Sequence, residues 1–111
     1  MAASAYALKE FGFKTRAVEN PVASSVGTSV TKVLNQNPDR IEWLFVNLGS
    51  YTVYLAFGPY VSASKGIFVA ASGGTATMKV SEDGEAVAYE VWAVAPSGTS
   101  AIYVVEFEKA G

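Results

Sequence analysis

The chain contains no cysteine and no histidine. Without cysteine there is no disulfide and no thiolate metal site, so stability cannot depend on redox state. Without histidine the usual general base, proton shuttle and commonest metal ligand are gone. Ser-His-Asp and Cys-His arrangements are excluded, and an enzyme would have to work with carboxylates, lysine or tyrosine. Charge is scarce too. Only 16% of residues are charged, eight basic against ten acidic, for a net charge of −2. The first forty residues hold five basic and three acidic side chains, and the remainder three basic and seven acidic. Neither part carries a basic stripe, so a nucleic-acid partner is not expected. No apolar run approaches the ~20 residues of a spanning helix, and no membrane partner is expected. Met1-Ala2-Ala3-Ser4 lacks the basic start and apolar block of a secretory signal, so export by that route is not expected.

What the chain does have is apolar surface. Half of its 111 residues are hydrophobic. With so few charges to cover the exterior, part of that surface is expected to be hidden by partners. The length suits one domain.

The most apolar and aromatic stretch is Arg40 to Gly58, RIEWLFVNLGSYTVYLAFG. Two runs rich in β-branched and aromatic residues, Ile41–Val46 and Tyr51–Phe57, flank the polar break Asn47-Leu48-Gly49-Ser50. That pattern predicts two strands joined by a hairpin-like turn. Further strands are expected over Thr28–Leu34, Gly66–Ala71, Thr75–Val80, Val87–Ala95 and Thr99–Phe107. Asn35–Asp39, Gly58-Pro59, Ser72–Gly74, Ser81–Glu85 and Pro96–Gly98 are the turns between them. No stretch makes a convincing helix. Seven to eight short strands, spaced roughly 8–12 residues apart, predict an all-β fold, an antiparallel β-sandwich of jelly-roll or Ig-like type. Residues 1–20 read as an extended N-terminal arm or edge strand, with Phe11 and Phe13 as anchors for a neighbouring subunit, and residues 21–111 as the sandwich domain.

Strands of a monomeric sandwich are apolar on one face and polar on the other. Here both faces are apolar. Trp43, Phe45, Val53 and Leu55 suit a core, yet Leu44, Val46, Tyr54 and Trp92 lie on the opposite face of their strands. These four, with Phe11 and Phe13, are the candidate interface residues of a homo-oligomer. Asn47, Gly49 and Gly58 are the candidate structural turn residues.

Chemistry is thin by comparison. Glu82, Asp83 and Glu85 surround Gly84 in what reads as a solvated acidic hairpin turn rather than a calcium site. Glu106 and Glu108 share a strand face, as a hydrolase's paired acids would, but at the end of an edge strand they read as solvent-facing charges that discourage sheet-to-sheet sticking. No cofactor, metal or catalytic residue is expected. A carbohydrate-binding module using exposed Tyr51, Tyr54 and Tyr60 is the alternative.

Asn37-Pro38-Asp39-Arg40, Val46-Asn47, Gly49-Ser50, Val53-Tyr54-Leu55-Ala56-Phe57-Gly58, Val61-Ser62 and Gly66-Ile67 follow one another in a recognisable order. This segment, with the later Val91–Ser100 stretch, resembles small β-sandwich structural proteins of tailed phages and related viruses. The resemblance implies a virion component, such as a capsid decoration, head-fibre or minor capsid protein. It would be trimeric, located in the virion, and bound to a viral capsid protein. It brings no catalytic residue with it.

Overall fold

The computed structural model describes residues 15–109. Phe11 and Phe13 lie outside the described residues. The strands are β1 (Thr15–Glu19), β2 (Ser25–Val26), β3 (Thr31–Leu34), β4 (Arg40–Asn47), β5 (Val53–Ala56), β6 (Ile67–Val69), β7 (Gly74–Lys79), β8 (Val91–Val94) and β9 (Ser100–Lys109). One helical turn, α1 (Val80–Asp83), runs into a 3₁₀ turn over Gly84–Ala88. None of these helices is long and apolar enough to cross a membrane.

Sheet one has the order β1-β9-β4-β7, with β2 continuing the line of β1 along β9. Sheet two has the order β3-β8-β5-β6. Every neighbouring pair is antiparallel. Only β5 and β6 are consecutive strands paired as a hairpin. From β3 onward the other connections cross from one sheet to the other. Of the two sandwich types expected, this is the jelly roll.

Alternation along β4 explains the core. Trp43, Phe45 and Asn47 point inward and are at most 1% exposed, while Leu44 and Val46 point outward and are half-buried. Facing them across the sandwich are Val53 and Leu55 of β5 and Val91 and Ala93 of β8, all buried. β9 contributes Ile102 and Val104 to the same interior. Each such side chain is worth roughly 1.5–3 kcal/mol when fully removed from water.

The expected hairpin between β4 and β5 is not there. The two strands belong to opposite sheets, and Asn47–Thr52 is an arch that carries the chain across the core. A polar break between two extended runs looks the same in sequence whether the chain folds back in its own sheet or crosses to the other. Pairing decides it, because β9 occupies one edge of β4 from Arg40 to Asn47 and β7 the other from Glu42 to Asn47. The Asn47 side chain then holds the arch from inside. Its Nδ2 donates to Tyr51 O (2.7 Å) and Val69 O (3.3 Å). Its Oδ1 accepts from Gly49 N–H (3.2 Å) and from Ser100 Oγ (2.6 Å). Gly49 packs so closely that a Cβ there would lie 2.7 Å from Ser100 Cα.

The long strand expected over Val87–Ala95 is cut to Val91–Val94. Gly84 takes φ of 61°, and the carbonyls of Val87 and Tyr89 turn toward the Arg40 guanidinium instead of a neighbouring strand. The preceding strand likewise stops at Lys79. Val80, expected as the last residue of that strand, opens α1 and is exposed.

Asn47→Ala should cost roughly 2–4 kcal/mol, because it leaves several buried polar groups without partners at once. Urea unfolding of the two proteins measures this, and an unchanged midpoint would refute the anchoring role.

Candidate functional site

The outer face of sheet one is built by the register. Leu44 pairs with Val105 on one side and Thr77 on the other, and Val46 with Tyr103 and Thr75. Phe107 stands between Ala17 and Glu42. The result is an apolar strip of Leu44, Val46, Tyr103, Val105 and Phe107 down the middle of the sheet. It is flanked by Thr75, Thr77 and Lys79 along β7 and by Thr15, Ala17 and Glu19 along β1. Val105 is buried by its neighbours, and the other four are half-exposed. The Tyr103 hydroxyl donates to Glu19. That hydrogen bond, then burial, then the Glu19 charge raise the phenol pKa above its usual value.

Tyr54 and Trp92 are on the other side of the molecule. They share the outer face of sheet two, where Tyr54 pairs with Val94 and Phe68, and Ala56 with Trp92. This separates the four expected interface residues into two pairs, Leu44 with Val46 and Tyr54 with Trp92. The chain covers much of the second pair itself. The loop after β5 folds Val61 onto Ala56 and Val94, with Tyr54 and Trp92 packed around them. Gly58 makes that loop possible, since a Cβ there would meet the Tyr60 ring at 2.4 Å. Lys32 Nζ lies 5.2 Å from the Trp92 ring centre, and Trp92 Nε1 donates to Glu90. Phe68 meets Tyr54 edge-on at 5.8 Å and stays 61% exposed.

Glu106 and Glu108 are not the exposed edge-strand charges expected. β9 runs between β1 and β4, and Glu106 is buried. A register break between Arg40 and Glu42 leaves Ile41 as the extra residue and turns Arg40 onto the core face with Glu106 and Glu108. Arg40 Nε donates to Glu106 Oε1 at 2.8 Å. Its other nitrogens donate to Val87 O and Tyr89 O (each 3.1 Å) and to Asn35 O (2.5 Å). Asn37 Nδ2 bridges the two carboxylates, 3.1 Å from Glu106 and 2.6 Å from Glu108. Arg16 closes the group, 2.7 Å from Glu108. Both acids are therefore engaged by cations and an amide, and together they tie β9 to β1, to β4 and to the β3–β4 connection. Sequence reading passed over Arg40, although an arginine leading an apolar strand and two acids at alternate positions were the available signals.

Glu82, Asp83 and Glu85 are exposed on α1 and the 3₁₀ turn, not in a hairpin turn between two strands, and Asp83 accepts from Lys79 N–H. Among the described residues no three acidic side chains gather closely enough to hold a metal ion. A cleft of about 370 Å³ opens beside the arch, lined by Ser50, Tyr51, Thr52, Tyr54, Ala63, Pro96 and Ser97. The Tyr51 ring lies against Gly98, where a Cβ would come within 2.5 Å of it. Tyr60 is not in this lining. It sits on the surface with Lys65 Nζ 4.8 Å from its ring.

The acid network predicts a pH dependence. Burial works to raise the Glu108 pKa. Hydrogen bonds from Arg16 and Asn37, and then the charges of Arg16 and Arg40, outweigh it, so the carboxyl sits below its usual value of 4.5. A depressed folded pKa gives stability that is fully present above 4.5 and lost as pH falls through the folded value. Thermal melts taken downward from neutral pH should therefore fall below that point, and Glu108→Gln should flatten the fall. An identical acid limb in the variant would refute the assignment.

No family model and no curated protein matches the chain, so the likeness to phage structural proteins stands on its sequence motifs alone. A solved structure from work on Bacillus endospore appendages, described as a family of disulfide-linked pili, aligns with 88% of this chain and 87% of its own at 13% identity, with a TM-score of 0.48.

Proposed function

We propose that this chain is a non-catalytic structural subunit that associates with further copies of itself in a larger assembly. The observation that carries this reading is the apolar strip on sheet one. Leu44, Val46, Tyr103 and Phe107 stand in the middle of a sheet face that a solitary sandwich would fill with polar side chains. Those four side chains keep part of their surface open among the described residues. Removing apolar surface from water contributes roughly 25 cal/mol per Å², so a second copy seated there is the economical occupant. The sheet-two face supports the reading less, because the Val61 loop already shields it. A capsid-decorating virion protein, trimeric as the sequence resemblance implies, is the specific form of the proposal. Phe11 and Phe13 would add a further contact with a neighbour.

Sedimentation or light scattering of the native chain should show concentration-dependent association. Val46→Asp places a charge in the strip on the solvent side of β4, so it should weaken association by at least about tenfold while leaving the fold intact. A native chain that stays monomeric throughout would overturn the reading.

The cleft supports a second reading. Tyr51 is a ring held in place by Gly98, and Ser50, Thr52 and Ser97 supply hydroxyls beside it without any charge. A neutral saccharide is the ligand class that such a lining suits. Glycan-array binding that disappears in Tyr51→Ala would favour it, and an array without signal would remove it.

A further inference from the structure

Among the described residues the two sheets end in four strand edges, and the four are not alike. β3 has a register break between Lys32 and Leu34 and carries a lysine. β6 has only three residues. Bulges, lysines and shortness all discourage pairing with another chain. β7 has none of these along most of its length. Gly74–Lys79 contains no proline, keeps an unbroken register with β4, and has no charge before Lys79. β1 does carry charges, but Arg16 is drawn onto Glu108 and Glu19 onto Tyr103. The two open edges are thus the two sides of one sheet.

The direction of their free backbone groups follows from the hydrogen bonds. Val104 N–H donates to Asn20 Oδ1 (2.8 Å), and Val104 O accepts from Asn20 N–H (2.6 Å). Ile102 N–H donates to Ser24 O (3.0 Å). Even-numbered residues of β9 therefore face β1 and β2. Odd-numbered ones face β4, where Ala101 O accepts from Leu48 N–H (2.9 Å). Antiparallel ladders alternate, so the odd-numbered residues of β4 face β7, and Gly74, Ala76 and Met78 face back. Thr75 and Thr77 are left pointing out of the sheet. Lys79 shares their parity, and its N–H is indeed turned outward, to Asp83 Oδ2 at 2.9 Å. On β1 the same rule turns Arg16 and Val18 to β9 and leaves Thr15, Ala17 and Glu19 pointing out.

The side chains of both outward rows lie on the same outer face, with Leu44 and Val46 on one side and Val105 and Phe107 on the other. This matters because residues in a hydrogen-bonded antiparallel pair share a face. The match exists because the sheet is four strands wide. One strand more or fewer would set the two rows on opposite faces. Direction agrees as well: along β1-β9-β4-β7 the strands alternate, so a β1 placed beside β7 in the same orientation is antiparallel to it.

We propose that β7 of one copy pairs with β1 of a second copy, Thr77 opposite Ala17 and Thr75 opposite Glu19, so that sheet one continues from subunit to subunit. Each of those two pairs exchanges two backbone hydrogen bonds. The register sets Val18 opposite Ala76 on the inner face and places no like charges directly opposite each other. The contact joins two different surfaces, so it closes into a ring or grows as a filament. The proposal rests on self-association and names the edge contact within it.

The test uses two proline variants of the full chain. Thr77→Pro and Ala17→Pro each remove an outward N–H that bonds to none of the described residues, a place where an edge strand tolerates proline. Circular dichroism should show both folded, with Thr75→Pro replacing Thr77→Pro if the latter is unstable. Each variant alone should lose association by at least about tenfold relative to the native chain. Mixed together they should recover one β1–β7 contact and associate more strongly than either variant alone, since one retains β1 and the other β7. Association of Thr77→Pro at the native level, or a mixture that stays monomeric, overturns the edge contact. If the native chain itself does not associate, self-association fails and the edge contact with it. If the native chain associates and Val46→Asp disrupts it while both proline variants do not, the edge contact alone fails.

Discussion

A guanidinium with no exposed side-chain surface has to be neutralised where it stands, and Arg40 organises one end of the sandwich by that requirement. Ionised groups taken out of water cost several kcal/mol each unless charge and hydrogen bonds are supplied. Here Glu106 supplies the charge, and the carbonyls of Asn35, Val87 and Tyr89 supply the remaining acceptors. Those carbonyls belong to the β3–β4 connection and to the segment before β8. Asn37 and Arg16 extend the network through Glu108 to β1. A pair of this kind is not a large net source of stability against an apolar alternative. What it does is specify geometry: the chain on every side has to arrive with an acceptor in place.

Asn47 plays the matching part at the other end of β4. It too is buried, and its amide binds four groups from the arch, from the end of β6 and from β9. Between these polar ends Trp43 and Phe45 fill the interior. One strand of eight residues thus carries the core on one face, a polar clamp at each end, and an apolar strip on the other face. With both ends held, the outward positions of Leu44 and Val46 are determined, and so is the face that the proposed assembly would use.

Much of this was legible. Period-two alternation identified the inward residues of β4 and β5, because the strand pleat alone sends neighbouring side chains to opposite faces. The same count marked Leu44 and Val46 as outward and apolar. Glycines and prolines placed most turns. Three features were not legible. Pairing partners are long-range, so the β4–β5 arch looked like a hairpin. The bulge at Ile41 reverses the face of Arg40 and has no composition of its own. The cover on Trp92 and Tyr54 comes from a loop in which the buried Val61 gave no sign of where it would land.

By itself, then, the sequence determined what depends on neighbours along the chain: an all-β fold, which residues of the central strands face in and which face out, and the absence of thiol and imidazole chemistry. The tertiary structure decided what depends on residues far apart. It split the two central strands between sheets, shortened β8 by turning its preceding carbonyls onto a buried arginine, and converted two apparently solvent-facing glutamates into counter-charges. The reason is that alternation is a property of one strand. Register, sheet membership and the neutralisation of a buried charge are set only when β4 meets β7 and β9 and the segment before β8 closes over Arg40.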